Sequence, residues 1–243
     1  LAAYDLMLDR ASSPTDVAML TGRLVVELTG SRCAGYGSRI RFVTRNEDPE
    51  GQPIVTDMRS TTFETADGRF DFDNQVYAND ALVEDSSGTA RKGPDGATVA
   101  LTKPTDKTIG LGADVVFPTE QIARIIEAAS DGGNFLPLRL YDGVEAGETL
   151  YDTAAVIGRS STAADDFGDE TPIGEAGFAG IRHWPLTISY FESGSGGDAT
   201  PAYVMSYVLY ENGIGRTLKF DYGDFTIVGR MTHLKMLPSA PCP

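Results

Sequence analysis

The sequence predicts an all-β protein of about fourteen strands with one long amphipathic helix. Three observations lead to this prediction: short segments in which apolar and polar residues alternate, turn residues between these segments, and a single stretch with helical periodicity. So many strands must roll up, because an open flat sheet would leave its edges exposed. The 243 residues contain no clear linker, so the chain is predicted to form one domain over residues 1–243.

The N-terminal half predicts a series of strands. In "YDLML" the apolar residues fall on one face of an extended chain, and "SRIRFVTR" alternates in the same way. Residues 54–78 predict two strands joined at Asp67-Gly68, a dipeptide that favours tight hairpin turns. Weaker strand patterns follow at 81–87, 97–104 and 107–117.

One segment has helical periodicity and predicts an amphipathic helix near residues 119–131. In "PTEQIARIIEAASDGG" the side chains of Ile122, Ile125 and Ile126 fall on one helical face. Thr119 is the candidate N-cap, and two glycines follow the end of the helix.

The C-terminal third predicts a long loop followed by an antiparallel meander. The acidic, glycine-rich stretch "STAADDFGDETPIGEAGFAG" at 161–180 is typical of a surface loop. Strand patterns then follow from "RHWPLTISYFES" onwards, with turns predicted at Asn212-Gly213 and near Gly223.

The charge balance argues against two classes of partner. The chain carries 20 Lys and Arg against 35 Asp and Glu, a net charge of −15. Phosphate binding depends on Lys and Arg, so no nucleic-acid partner is expected, and an anionic membrane surface would repel the chain. No stretch approaches the roughly 18 apolar residues of a spanning helix. A soluble monomer is therefore expected.

The only two cysteines, Cys33 and Cys242, lie one near each end of the chain. No Cys-x-x-Cys motif is present and there are only two histidines, so the residues offer little for a zinc site. A disulfide in an oxidising compartment is one explanation, worth ideally about 5 kcal/mol; two unpaired thiols in a reducing compartment are the other. The chain begins at Leu1, which suits an exported protein without its signal peptide or a trimmed sequence.

No motif for catalysis, a cofactor or a metal stands out. "GLGADV" lacks the third glycine of a dinucleotide fingerprint, and "DGRFDFDNQ" and "DDFGDE" do not match an EF-hand loop. His183 and His233 lie in predicted strands and are more typical of strand faces than of a catalytic triad. The sequence therefore predicts no catalytic, cofactor-binding or metal-binding residue, and a protein that is not an enzyme.

Trp184, Tyr203, Met205 and Tyr207 form an aromatic and methionine set on the C-terminal strands. Such residues can line an apolar binding cavity, or they can fill the core of a barrel. The residue pattern leaves both interpretations open.

Three features together resemble one protein family: the opening "YDLMLDR", the block "LTGRLVVELTGSRCAGY" and the cysteine at position 242. Over essentially the whole chain, they resemble the EipB family of cell-envelope integrity proteins, which are periplasmic proteins of Gram-negative bacteria. The resemblance implies a disulfide between Cys33 and Cys242. It also implies an antiparallel β-spiral, an overwound open barrel similar to periplasmic lipoprotein carriers, with no enzymatic activity.

The resemblance further implies a role in maintaining the cell envelope under stress. The expected partner is a periplasmic envelope protein, recognised at exposed strand edges, or a lipid or lipoprotein acyl chain in an apolar cavity. The helical face of Ile122, Ile125 and Ile126 would cover or plug the interior of the open barrel. The alternative is a hydrolase that acts on an envelope polymer through two carboxylates.

Overall fold

The computed structural model describes residues 1–12, 17–47, 50–163, 167–194, 200–238 and 242. These residues form fifteen strands, two α-helices and a 3-10 turn at Glu145–Gly147. The prediction of an all-β protein with one long helix is confirmed, and the strand predicted at 107–117 is two strands. The elements are β1 (Ala2–Ala11), β2 (Met19–Ser31), β3 (Gly35–Glu47), β4 (Pro53–Glu64), β5 (Arg69–Ala78), β6 (Ala81–Gly93), β7 (Gly96–Lys103), β8 (Lys107–Gly112), β9 (Val115–Val116), α1 (Pro118–Ser130), β10 (Phe135–Leu140), β11 (Tyr151–Ile157), α2 (Thr171–Glu175), β12 (His183–Glu192), β13 (Tyr203–Tyr210), β14 (Gly215–Asp221) and β15 (Phe225–Leu234).

All fifteen strands belong to one sheet, in the order β8-β7-β6-β5-β4-β3-β2-β1-β15-β14-β13-β12-β11-β10-β9. Neighbouring strands are antiparallel, except that β9 runs parallel to β10. The two edge strands, β8 and β9, are consecutive in the chain and are separated only by residues 113–114. Such a link spans about 10 Å at most. The two edges must therefore lie side by side, and the sheet curls into a nearly closed barrel.

The inward faces of the strands build two hydrophobic clusters. The larger cluster extends over β1, β2 and β10–β15. The smaller cluster joins opposite halves of the sheet. In it, the ring of Phe70 on β5 stacks on Phe117 at 5.0 Å, and Phe72 meets Tyr141 edge-on at 5.8 Å. Since Phe117 and Tyr141 lie next to β9 and β10, these contacts close the barrel.

A loop after β10, residues 141–148, holds the two halves of the sheet together, and we call it the seam loop. Asn74 Nδ2 on β5 donates to the carbonyl of Gly143 at 2.7 Å. Gly143 has a φ of 74°, and a Cβ at this position would lie 2.6 Å from Cγ of Phe72. Glycine is required there, because the backbone of one half presses against a ring of the other half.

Two other residues of the seam loop adopt a conformation that side chains disfavour. Glu145 and Ala146 have φ values of 52° and 58°. This left-handed conformation costs about 1–2 kcal/mol for each residue other than glycine. The N–H of Ala146 donates to Glu84 Oε1 on β6 at 2.9 Å, and the hydroxyl of Tyr141 donates to the carbonyl of Gly147 at 2.8 Å. These two hydrogen bonds hold the strained loop in place.

The structure contains a disulfide between Cys33 and Cys242, with 5.4 Å between the two Cα atoms, so the predicted pairing is confirmed. Cys33 lies in the turn between β2 and β3, and Cys242 follows β15. The bond therefore ties the C-terminal tail to the turn of a strand pair. The N–H of Lys235 also donates to the carbonyl of Leu1 at 2.8 Å, which fixes the two chain ends beside each other.

Helix α1 begins at Pro118, and its N-cap is Phe117, so the prediction of Thr119 as the N-cap is wrong. The carboxylate of Glu64 on β4 accepts hydrogen bonds from the N–H groups of Thr119 and Glu120, at 2.8 and 3.0 Å. These two groups would otherwise lack a partner at a helix start. The sequence pattern does not reveal this cap, because Glu64 precedes Thr119 by 55 positions.

The acidic, glycine-rich stretch predicted as a surface loop is partly a packed element. Residues 164–166 lie outside the described residues. Glu170, further along the same stretch, is only 1 % exposed. Its carboxylate accepts hydrogen bonds from the N–H and hydroxyl of Thr217, at 2.9 and 2.7 Å, and from the N–H of Met231 at 2.9 Å. Arg216 lies 3.6 Å away and supplies a positive charge. The loop prediction is wrong here. The acidic composition of the stretch does not reveal that β14 and β15, which lie further along the chain, donate hydrogen bonds to the carboxylate of Glu170.

Replacing Gly143 by Ala is expected to destabilise the protein more than replacing Gly213 by Ala. Both glycines have positive φ, 74° and 85°, so each alanine costs about 1–2 kcal/mol. A Cβ at Gly213 meets no atom within 4 Å, whereas one at Gly143 meets Phe72. The overlap is expected to add about 1–3 kcal/mol. Chemical denaturation of both variants measures the difference, and equal losses would contradict the close approach at the seam.

Candidate functional site

One end of the barrel, which we call the mouth, is lined by aromatic side chains. It is formed where β12 and β14 end and where β11, β13 and β15 begin. Because adjacent strands are antiparallel, these strand termini all lie at the same end of the barrel. The aromatic row consists of Tyr151, Tyr190, Tyr203, Tyr222 and Phe225. Neighbouring ring centroids along it are 6.0, 4.3, 6.0 and 5.0 Å apart.

Beside the aromatic row lies an apolar pocket of about 170 Å³, which we call the mouth pocket. Tyr222 and Phe225 contribute one wall, and strands β2–β4 contribute the opposite wall. Deeper in the barrel, the ring of Phe42 meets Phe220 edge-on at 5.9 Å. The lining is mostly apolar, with Thr44, Asn46 and Thr56 as its polar members, and the volume is smaller than the roughly 300–1,000 Å³ of typical ligand pockets. The full lining is Val17, Leu20, Phe42, Thr44, Asn46, Thr56, Tyr222, Phe225 and Ile227.

Exposed apolar side chains surround the mouth, and we call them the apolar collar. Met19 begins β2, Ile54 lies at the start of β4, and Leu82 and Val83 lie at the start of β6. Their exposed fractions are 54, 43, 49 and 61 %, and Tyr222 is 39 % exposed. Single exposed apolar residues are ordinary on a protein surface, but a group of them at one place indicates an interaction surface.

Asp142 in the seam loop lies close to the inner end of the aromatic row. Desolvation by burial raises the pKa of its carboxyl to about 6, although the N–H of Val144 donates to it at 3.2 Å. Burial raises the pKa of Tyr190 and Tyr203 well above the usual range, and a neighbouring tyrosine and then the charge of Asp142 raise it further. The mouth therefore contains a carboxyl that changes its charge near neutral pH, beside buried tyrosines that remain neutral.

Glu145, also in the seam loop, accepts a hydrogen bond from the hydroxyl of Tyr151 at 2.7 Å. Burial, followed by this hydrogen bond and the charge of Glu145, raises the pKa of Tyr151. The strained seam loop is thus bonded to the first ring of the aromatic row. This hydrogen bond links the mouth to the loop that closes the barrel.

The seven residues predicted for an apolar cavity or helix plug either belong to the larger hydrophobic cluster or pack against it. Ile125 on α1 is fully buried, and Trp184 and Tyr207 are nearly so. Tyr203 alone belongs to the aromatic row. That this interior holds a ligand, or that α1 plugs it, stays a prediction. The seven are Ile122, Ile125, Ile126, Trp184, Tyr203, Met205 and Tyr207.

The sequence does not reveal the mouth pocket. Its lining comes from strands far apart in the chain, such as β2 with Leu20, β4 with Thr56 and β15 with Ile227. The alternation in "SRIRFVTR" places Phe42 on an inner face, but no local pattern shows that this face meets β15. Only the closure of the sheet brings the two walls together.

The described residues offer no converging set of metal ligands: no three His, Cys, Asp or Glu side chains gather in them. The buried His183 has Nδ1 at 2.9 Å from the carbonyl of Ile181, and His233 is exposed on β15. In the same part of the chain, no helix is long and apolar enough to cross a bilayer.

These features define a barrel-like β protein whose sheet is rolled up from both edges and tied by a disulfide. A family model described as EipB-like matches residues 1–238, and the chain belongs to this family. A relative from Brucella abortus (strain 2308), named cell envelope integrity protein EipB, is 38 % identical over 234 residues. The match covers 96 % of this chain and 82 % of that protein.

The fold is also shared with a solved structure. The crystal structure of a beta-barrel-like protein of domain of unknown function DUF1849 from Brucella abortus has a TM-score of 0.88 to this chain. The two are 36 % identical, and the match covers 98 % of this chain and 97 % of the other. The family and fold implied by the sequence resemblance are thus confirmed.

Replacing Asp142 by Asn is expected to stabilise the protein near neutral pH. The pKa of Asp142 is raised in the folded protein to about 6. Ionisation of Asp142 therefore lowers the free energy of unfolding as pH rises from about 4 toward that value, and has no such effect below about pH 4. Asn removes this loss of up to about 3 kcal/mol at about pH 7.5, and has no such effect at about pH 4. Thermal unfolding of both proteins at the two pH values measures the difference.

The control for this prediction is Glu148→Gln, which removes a carboxylate from the exposed part of the same loop. Its ion pair with Lys107 is solvent-exposed, so the change in stability should stay below about 1 kcal/mol at both pH values. An Asp142→Asn variant that is less stable than the wild type at about pH 7.5 would contradict the desolvation of Asp142.

Proposed function

We propose that this protein acts in the periplasm and maintains the integrity of the cell envelope by binding an acyl or other lipid chain in the mouth pocket. The Brucella abortus relative is named for cell envelope integrity, which supports a role of that kind. The observation that carries the ligand class is the apolar and aromatic lining of the mouth pocket, with the apolar collar beside it. An acyl chain is the envelope component that gains most from leaving water for such a surface.

The apolar collar gives a bound chain a surface on which to extend beyond the mouth pocket. Tyr222 belongs to both the pocket and the aromatic row and is 39 % exposed, whereas Tyr151 and Tyr190 are buried and offer no surface to a ligand. Each buried Å² of apolar ligand surface contributes about 25 cal/mol. A chain that also covers the collar therefore gains more binding energy than one confined to the pocket.

The disulfide between Cys33 and Cys242 supports the periplasm as the compartment, because such bonds persist where conditions are oxidising. The continuous sheet and the contacts between its two ends support a single domain over residues 1–243. A net charge of −15 supports a monomer, because like charges oppose self-association.

A second candidate is the hydrolase that uses two carboxylates, and one observation favours it. Asp142 has a raised pKa, as a general acid needs, and Glu145 in the same loop is a second carboxylate. A hydrolase would release soluble fragments from purified peptidoglycan and would lose this activity in Asp142→Asn. Binding of an acyl chain at the mouth pocket would persist in that variant.

The acyl ligand is tested with a dansyl-labelled undecanoic acid, whose fluorescence rises in an apolar site. Thr56→Trp fills the mouth pocket, because Thr56 is part of its lining. We expect this variant to bind the probe at least about tenfold more weakly than the wild type, a loss of about 1.4 kcal/mol. Unlabelled lauric acid is expected to displace the probe from the wild type.

The matched control is Thr61→Trp, the same substitution at an exposed position of β4. It should leave the affinity for the probe unchanged. An equal loss in both variants, or no binding by the wild type, would contradict a ligand in the mouth pocket.

A further inference from the structure

The outer surface of β2–β4 concentrates positive charge in a strongly acidic protein. Five arginines point outward there, against the three carboxylates of Glu27, Glu47 and Asp57. The whole chain has 35 Asp and Glu against 20 Lys and Arg. This surface, which we call the arginine face, therefore has the opposite charge balance from the rest of the molecule. Its arginines are Arg23, Arg39, Arg41, Arg45 and Arg59.

At the centre of the arginine face, two like charges oppose each other. Arg41 on β3 is the direct cross-strand partner of Arg59 on β4, and like charges in this position destabilise a sheet. Both guanidinium groups bind the same carboxylate. Asp57 accepts from Arg41 Nε and Nη2 at 3.0 and 2.9 Å, and from Arg59 Nη2 at 2.7 Å. The single carboxylate thus neutralises only one of the two guanidinium charges, and a net positive charge remains.

A third guanidinium adds to this excess. Arg39 lies two residues before Arg41 on the same face, its side chain is 75 % exposed, and its ion pair with Glu27 is long, at 3.6 Å. The side chains of Arg41 and Arg59 are 58 and 49 % exposed. A guanidinium has five N–H donors, and these contacts use only some of them. The unused donors face solvent from a rigid sheet, a geometry suited to carboxylates.

Apolar and aromatic side chains lie between the arginines. Val25 is opposite Arg41, and Val43 is opposite Asp57 on the outer face. The guanidinium of Arg59 lies 4.6 Å from the ring centre of Tyr77 on β5. Arginine, tyrosine and aliphatic residues are the side chains that form protein–protein interfaces, whereas lysine is depleted there. The outward positions of β2–β5 in the described residues contain no lysine.

We propose that the arginine face binds an acidic segment of another envelope protein. Carboxylates of this segment would take the free donors of Arg39, Arg41 and Arg59, and its apolar side chains would cover Val43 and Tyr77. A membrane surface fits less well, because an extended anionic surface would also meet the acidic surroundings of the face on a chain of net charge −15, whereas a short segment meets the arginines alone. The arginine face points outward from β3 and β4, whereas the mouth pocket lies inside the barrel, so the two proposals stand or fall separately.

The test measures the affinity of a fluorescent dodecapeptide of alternating Glu and Phe by anisotropy, at low and at high salt. We expect Arg39→Gln, Arg41→Gln and Arg59→Gln together to weaken binding at least about tenfold. We expect Asp57→Asn to strengthen binding several-fold, because it removes the carboxylate that competes for Arg41 and Arg59. Damage to the fold would weaken binding in both variants, so the opposite signs separate the proposal from misfolding.

A control variant has the same change of net charge at another place. Arg10, Arg124 and Arg139 each form one exposed ion pair with a carboxylate, and all three are replaced by Gln. This variant should bind the peptide as the wild type does. Equal weakening in the control, or no gain of affinity in Asp57→Asn, would overturn the proposal. Binding to phosphatidylglycerol vesicles through the face, without binding to the peptide, would also overturn it and assign the face to lipid.

Discussion

Closure of the sheet along one seam is the constraint on which the rest of the structure depends. Strands β8 and β9 are the two edges of a fifteen-stranded sheet, yet two residues link them, so the edges must meet. The seam loop then bonds β10 to β5 and β6, through Gly143 with Asn74 and Ala146 with Glu84. The strained backbone of Glu145 and Ala146 persists because these bonds and the surrounding rings define its position.

The closed sheet gives the barrel two ends with different properties. One end is filled: Glu170 before α2 is buried against β14 and β15, and the disulfide of Cys33 ties the tail to the neighbouring turn. The mouth, in contrast, keeps an apolar pocket and an apolar collar in contact with solvent. The bond between Glu145 and Tyr151 connects that end to the seam.

The outside of the sheet offers a surface of different chemistry. The inner face of β2–β4 contributes apolar residues such as Leu20 and Phe42 to the mouth pocket, while the outer face of the same strands presents Arg41 and Arg59. The two-residue period of a strand separates these two surfaces, because successive side chains point to opposite faces. A substitution on one face can thus be made without touching the other, which is why each surface can be tested by itself.

Local patterns in the sequence predict the fold class and the long helix, and the family resemblance adds the pairing of Cys33 with Cys242. Alternation and turn residues act over a few neighbouring residues, so a local pattern is sufficient for strands. The cap of α1 by Glu64, the burial of Glu170 and the position of the mouth pocket follow from the folded sheet alone. Each joins groups that lie far apart in the chain, and their contact depends on how the whole sheet curls and closes. No local pattern of residues carries that information.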